Sequence, residues 1–143
     1  MDARSKSAFF AKHKYRDFAV YKTLASSESH KNFKKILEEF TVHEHEDYLF
    51  WRTLSKEKRV SVKKFELWFF RILRKIFGLV FTVRVLEARA KRLLGKYQAY
   101  LELVTDPELR RQIVRVIERE VRHEQVLAVA LKENSVTFLS NVV

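Results

Sequence analysis

The chain has 143 residues and a formal net charge of +11 at pH 7, and it contains two Gly, one Pro and no Cys. The lack of Cys excludes disulfides, thiolate metal sites and thiol catalysis, and so little Gly and Pro disfavours a turn-rich β architecture. The charge predicts attraction to nucleic acid, an acidic partner or an anionic membrane face, unless the surface is simply basic.

Neither a secretory signal peptide nor a transmembrane segment is expected from the sequence. The first seven residues contain no apolar run of the kind found in a secretory signal peptide. The longest apolar zone, 65–83, is interrupted by Arg71, Arg74 and Lys75, so no transmembrane segment is expected. We therefore expect a cytoplasmic protein, with a composition rich in charge that resembles that of thermophile proteins.

Apolar residues recur with helical spacing along most of the chain, which predicts an all-α protein with a single domain, 1–143. Helices are expected at about 7–26, 31–54, 64–77, 79–103 and 106–132, followed by an apolar tail at 133–143 that packs on the body or on a second copy. Hydroxyl groups within 26–30 are expected to cap the second helix, Gly78 to break the chain between helices, and Thr105 or Asp106 to cap the last helix ahead of Pro107.

The segment 64–77 is amphipathic and has two interpretations. Its basic side carries Arg71, Arg74 and Lys75, and its apolar side carries Phe65, Trp68, Phe69, Ile72 and Ile76. The apolar side either covers the core, as part of a connector along the helices, or remains exposed for a partner or a membrane surface. The first interpretation is preferred.

Charged residues interrupt the apolar stripes of three helices. Glu120 and His123 continue the stripe of the last helix, Glu44 and Asp47 that of the second, and Lys14 that of the first. Burial of a charge without a partner is expensive, so these side chains must neutralise one another or bind a charged ligand.

The two halves of the chain repeat at a constant offset of 76 residues. The equivalent positions are Tyr21 and Tyr97, Leu37 and Ile113, Phe40 and Val116, Glu44 and Glu120, Asp47 and His123, and Trp51 and Leu127. Two helix hairpins joined by the long connector 55–78 predict a ferritin-like four-helix bundle with a long crossover that contains an extra amphipathic helix.

Four runs of sequence carry a family resemblance: 21–25 (YKTLA), 44–51 (EHEDYLFW), 77–87 (FGLVFTVRVLE) and 118–124 (EREVRHE). With the intervening residues they extend over 14–130. They resemble the ferritin-like, rubrerythrin-related domain found at the N-terminus of some vacuolar-iron-transporter-like proteins. The resemblance implies two irons bound between four helices, chemistry on iron or oxygen, and a homodimer.

The sequence matches the ligand pattern of that family only in part. The pattern has a Glu on each of two helices and a Glu-x-x-His on each of the other two. Glu44, Glu120 and His123 match it, and Asp47 replaces a His.

The two remaining ligand positions are occupied by Lys14, which is not a ligand when protonated, and by Ala90, which has no ligand atom. Asp17 and Glu87 lie one turn from these positions and are candidate substitutes. Full di-iron ferroxidase or peroxidase activity is therefore not expected.

Two arrangements of the charged residues remain open. In one, Glu44, Asp47, Glu120 and His123 bind a single iron or manganese ion. In the other, which is preferred, Lys14 replaces the metal charge between Glu44 and Glu120, with Asp47 near His123, in a buried salt-bridge cluster with no cofactor.

Basic residues concentrate in the middle of the chain. This set suggests an alternative function, in which a non-catalytic basic helical bundle binds the phosphates of RNA, a ribosome or DNA without reading base sequence. The basic set comprises Arg52, Lys56, Lys58, Arg59, Lys63, Lys64, Arg84, Arg89, Lys91 and Arg92.

Overall fold

The computed structural model describes residues 3–56 and 63–142, with side chains described at 6–56, 63–130 and 132. All regular structure in these ranges is helical, which confirms the all-α class for this part of the chain, whereas the ferritin-like bundle stays a prediction. The chain divides into two compact units, Met1–Ile72 and Leu73–Val143. The helices are α1 (Ala3–Ser27), α2 (Lys31–Ser55), α3 (Lys64–Leu103) and α4 (Pro107–Val142).

In the first unit, α1 and α2 form an antiparallel hairpin. Phe10 packs on Trp51 with ring centroids 4.8 Å apart, and Tyr21 packs on Phe40 at 5.4 Å. Later positions of α1 therefore contact earlier positions of α2, as in an antiparallel pair. The turn between them has three residues, a length common between antiparallel helices that are neighbours in sequence. The fully or nearly fully buried core of the hairpin includes Phe10, Val20, Leu24, Phe33, Leu37, Phe40 and Trp51.

The start of α2 differs from the prediction of a hydroxyl cap. His30 is the capping residue, and its Nδ1 accepts a hydrogen bond from the Phe33 N–H at 3.2 Å. The Ser26 hydroxyl instead donates to the Thr23 carbonyl at 2.8 Å, within the last turn of α1. The predicted hydroxyl cap is wrong because the His30 imidazole occupies the capping position and supplies the acceptor.

In the second unit, the later part of α3 is joined to α4 by a short turn. Lys91 on α3 lies 3.6 Å from Glu124 on α4, and the Arg110 guanidinium donates to the Val104 carbonyl at 2.7 Å. Asp106 caps α4 as predicted, accepting from the Leu109 N–H at 3.0 Å. The buried core of this unit includes Val83, Leu86, Leu93, Tyr97, Tyr100, Ile113, Val116 and Leu127.

The predicted break at Gly78 is confirmed, whereas one helix boundary differs from the prediction. The expected helices 64–77 and 79–103 are continuous in α3 except at Gly78, which is non-helical, with φ 84° and ψ −178°. The predicted break is therefore a kink at a backbone conformation that favours glycine. Helix α4 continues to Val142 instead of ending at about 132. The side chains of 133–143 lie outside the described residues, so packing of the apolar tail stays a prediction.

Burial in the two units agrees with the internal repeat. All six pairs of equivalent positions named above, from Tyr21 and Tyr97 to Trp51 and Leu127, are buried at both members. Lys14 and Ala90, which are also 76 residues apart, are both buried. The chain thus presents the same pattern of inward-facing positions twice, once in each unit.

The preferred prediction for the apolar side of 64–77 is wrong. Phe65 is 69% exposed and Trp68 is 56% exposed, whereas Phe70 and Leu73 are buried. Glu66 lies on the same side of the helix, one turn before Phe70 and two turns before Leu73. It forms an ion pair with Arg16 of α1 at 3.0 Å. This contact and the burial of Phe70 turn the first stripe of hydrophobic residues outward. No helix in the described ranges combines the length and hydrophobicity needed to cross a membrane.

Candidate metal-ligand site

Three charged side chains are buried inside the first unit. Lys14 is 0% exposed, Glu44 is 1% exposed and Asp47 is 4% exposed. Lys, Glu and Asp are almost never buried to this extent unless they are paired. The hairpin of α1 and α2 explains how they meet. Glu44 and Asp47 are three residues apart and share one face of α2, and Lys14 faces them from α1, between the Phe10–Trp51 and Tyr21–Phe40 contacts.

The Lys14 ammonium contacts both carboxylates. Its Nζ lies 3.0 Å from Oε2 and 3.2 Å from Oε1 of Glu44, and 3.3 Å from Oδ2 of Asp47. An ammonium has three N–H donors, so a single lysine can serve both acids. The contact with Glu44 Oε1 is a hydrogen bond, and the contacts with Glu44 Oε2 and Asp47 Oδ2 are ion pairs. In a water-poor interior the attraction of such pairs is strong and their desolvation is costly.

In the second unit, Glu120 and His123 are buried on α4, at 3% and 1% exposure. Their spacing places both on the inward face, between Val116 and Leu127. Each unit therefore contains buried side chains with metal-ligating atoms, Glu44 in the first and Glu120 with His123 in the second. Carboxylate and imidazole are suitable ligands for iron, manganese and zinc.

The two candidate substitute ligands have different surroundings. Asp17 is half-buried on α1. Glu87 forms an ion pair with Lys91, whose Nζ is 3.2 Å away, one turn along α3. The hydrogen bond from Lys91 to Glu87, together with the charges of Glu87 and Glu124, raises the pKa of Lys91 above its ordinary value. Glu87 thus neutralises a surface lysine.

These residues do not fit a centre that binds two irons. Both carboxylate oxygens of Glu44 lie within 3.2 Å of a lysine ammonium, which repels cations and offers no lone pair when protonated. The equivalent position in the second unit is Ala90, which has no ligand atom. A single ion bound by Glu44 requires Lys14 to move away or to lose its proton. In the first unit the Lys14 ammonium neutralises the charge of the buried carboxylates.

One contact was missed by the sequence interpretation. Lys14 was expected to pair with the two glutamates, Glu44 and Glu120, and Asp47 was expected near His123. The structure brings Lys14 to Asp47 as well as to Glu44. Part of the signal is present in the sequence, because Glu44 and Asp47 share a helix face and an ammonium can donate to several acceptors. The register of α1 against α2, which the contact also requires, is not.

The basic set lies mostly in solvent. Arg52 and Arg89 are half-buried, while Lys58 and Arg59 lie outside the described residues. The exposed members are Lys56, Lys63 just before α3, Lys64 at its first position, and Arg84, Lys91 and Arg92 further along α3. Their exposure leaves these positive charges accessible to an anionic partner, except that of Lys91, which is paired with Glu87 and Glu124.

No family model matches the chain, and no curated protein or solved structure matches it. The ferritin-like resemblance therefore rests on the four sequence runs and the internal repeat.

Proposed function

We propose that this chain is a ferritin-like, rubrerythrin-related protein whose di-iron centre has been converted into a lysine–carboxylate cluster. The observation that carries the proposal is the fully buried Lys14, with its ammonium 3.0 Å from Glu44 and 3.3 Å from Asp47. In a di-iron protein the carboxylates of this face would neutralise metal cations. Here an ammonium supplies the positive charge, and an ammonium does not itself take part in redox chemistry.

The proposal leaves a metal-binding capacity that Lys14 suppresses. Glu44, Asp47, Glu120 and His123 are all buried and all carry ligand atoms. A divalent cation and the ammonium compete for the same Glu44 oxygens, because both need the carboxylate lone pairs. The resident group is therefore Lys14, and one iron or manganese ion binds only when the ammonium is displaced.

Metal titration of position 14 variants tests this competition. Lys14→Glu removes the competing cation and adds a carboxylate, so it should raise the affinity for Mn²⁺ by at least about tenfold, equal to about 1.4 kcal/mol. Calorimetric titration of the metal-free protein measures the change, and elemental analysis of protein purified without chelators gives the wild-type metal content. Lys14→Met, which removes the charge without adding a ligand, should give a smaller gain.

Matched variants separate this site from a general effect of charge. Lys22→Glu makes the same charge change at an exposed position of α1 and should leave the Mn²⁺ affinity unchanged. Glu44→Gln in the Lys14→Glu background should abolish the gain. The proposal fails if the wild type already binds iron or manganese stoichiometrically, or if Lys22→Glu raises the affinity as much as Lys14→Glu.

A second candidate function, binding of RNA, a ribosome or DNA, is favoured by the exposed members of the basic set. Contacts to phosphates make the affinity fall with salt, by a slope of about 0.9 per phosphate neutralised on duplex DNA. Arg84 and Arg92 are both exposed on α3. Replacing both by Gln should weaken binding to labelled duplex DNA and reduce the salt slope by about two, if each contacts a phosphate.

Fluorescence anisotropy at several salt concentrations measures both quantities. Arg115→Gln with Arg122→Gln is a matched control, because both arginines are exposed on α4 and lie outside the basic set. Binding that is absent, or that does not depend on salt, rejects this second candidate. Equal weakening by the two double variants would indicate attraction by net charge alone and reject a role for the basic set.

A further inference from the structure

The first part of α3 exposes an unusual number of large hydrophobic side chains. Phe65 is 69% exposed, Trp68 56%, Phe69 46%, Ile76 66% and Phe77 61%. The first four are separated by three, one and seven residues, which places them on one side of a helix. The Phe65 and Trp68 rings contact each other with centroids 5.9 Å apart. An exposed apolar stripe of this kind marks an interaction surface.

Basic side chains accompany this stripe. The segment 63–77 contains five lysines and arginines, namely Lys63, Lys64, Arg71, Arg74 and Lys75, and one acidic residue, Glu66. Lys63, Lys64, Arg71 and Lys75 are exposed. Glu66 lies on the other side of the helix and is paired with Arg16 at 3.0 Å, so it does not neutralise the exposed side. We call these exposed hydrophobic and basic side chains of 63–77 the basic aromatic face.

We propose that the basic aromatic face docks on the surface of an anionic lipid bilayer. A helix with Trp and Phe on one side and Lys and Arg beside them lies in the interfacial plane, where the rings enter the headgroup region and the cations meet lipid phosphates. The charge of the face is complementary to such a surface.

Other occupants fit the face less well. A second copy of this chain, which carries a net charge of +11, would bring the same cluster of positive charges against itself. A single-stranded nucleic acid would satisfy the basic residues and could stack on Trp68. It would leave Ile76 and the edges of the phenylalanines in contact with water. A lipid interface accommodates aromatic, aliphatic and basic groups together.

Binding is tested with the full chain and vesicles. Sedimentation with vesicles of phosphatidylcholine and phosphatidylserine should capture the protein, vesicles of phosphatidylcholine alone should capture much less, and added salt should release it. Tryptophan emission reports the contact independently. Trp51 is 0% exposed and Trp68 is 56% exposed, so a blue shift on anionic vesicles arises from Trp68. The shift should vanish in Trp68→Phe, which still binds.

Variants identify the contact residues. Phe65→Ser with Phe69→Ser should weaken binding by about tenfold or more, because two rings no longer enter the interface. Arg71→Gln and Lys75→Gln should each weaken it by about fivefold. Val42→Ser with Val129→Ser removes hydrophobic side chains that are 56% and 55% exposed on other helices and should leave binding unchanged.

Several outcomes would overturn the proposal. No capture by phosphatidylserine vesicles would reject it, and so would capture that persists in the Phe65→Ser and Phe69→Ser double variant. Sedimentation velocity that shows a dimer lost in this double variant would assign the face to a second copy. Quenching of Trp68 by single-stranded RNA, without any blue shift on vesicles, would assign it to nucleic acid.

Discussion

Removal of the Lys14 ammonium should destabilise the protein strongly. In Lys14→Met the side chain keeps most of its volume but loses the charge that lies 3.0 Å from Glu44 and 3.3 Å from Asp47. At 3.0 Å and an effective dielectric constant near 20, each such contact is worth about 5 kcal/mol before desolvation is subtracted. Removing one partner from a buried ion pair costs about 3–5 kcal/mol, which is the expected loss here.

Urea unfolding followed by circular dichroism measures this loss. With a slope of about 2 kcal/mol per molar urea, the midpoint should fall by about 2 M. Glu44→Gln should restore part of the stability of Lys14→Met, because it removes a carboxylate that no longer faces the ammonium. The double-mutant cycle should give a coupling free energy of about 2–3 kcal/mol. Lys35→Met, at an exposed position of α2, should change stability by less than about 0.5 kcal/mol.

A small effect of Lys14→Met would contradict the role of the ammonium in the fold. A loss below about 1 kcal/mol in Lys14→Met would mean that the pair behaves like a solvent-exposed salt bridge. A coupling free energy near zero would mean that Lys14 and Glu44 do not depend on each other. Either result would contradict the claim that the ammonium replaces a metal charge.

Two further predictions concern the backbone of α3 and its surface charges. Gly78→Ala should cost about 1–3 kcal/mol from backbone strain alone, since a Cβ there meets no atom within 4 Å but φ is +84°. Gly95→Ala, inside the helix and also without a close neighbour, should instead stabilise by about 0.5–1 kcal/mol; equal effects in urea unfolding would contradict this account. Glu87→Gln should lower the pKa of Lys91, which is raised chiefly by the hydrogen bond to Glu87, and Glu124→Gln should lower it less. A raised lysine pKa stabilises the fold below the ordinary value of 10.5, and this contribution disappears as the pH rises through the folded-state pKa. Titration of the Lys91 side chain by NMR gives the pKa in each variant, and an unchanged value in Glu87→Gln would contradict the contact.

The helices and most core positions could be predicted because apolar spacing alone determines an inward face. Leu37 and Ile113, Tyr21 and Tyr97, and Glu44 and Glu120 all fell on predicted stripes and are buried. The buried polar positions could be predicted as well as the apolar ones, because a charged residue within an apolar stripe indicates a buried charge that needs a partner.

The orientation of the first part of α3 could not be predicted, for a physical reason. The segment carries two apolar arcs, one with Phe65 and Trp68 and one with Phe70 and Leu73, and both have the spacing of a helix face. Only tertiary contacts decide which arc is buried. Here the ion pair between Glu66 and Arg16 and the burial of Phe70 select the second arc.

The contact between Lys14 and Asp47 illustrates another limit of sequence reasoning. Spacing places Glu44 and Asp47 on one helix face, but the reach of a long flexible lysine across a hairpin depends on the register of α1 against α2. That register is fixed by ring packing, such as Phe10 on Trp51 at 4.8 Å. A shift of one turn would move Lys14 by about 5.4 Å, away from both acids.

The most direct test of the central claim is anomalous X-ray diffraction from crystals of the wild-type protein grown with excess Mn²⁺. The account predicts the Lys14 ammonium at about 3 Å from Glu44 and Asp47, and no anomalous peak at these carboxylates. An anomalous peak within coordination distance of a Glu44 oxygen, with Lys14 turned away, would show a bound metal in place of the ammonium and contradict the account.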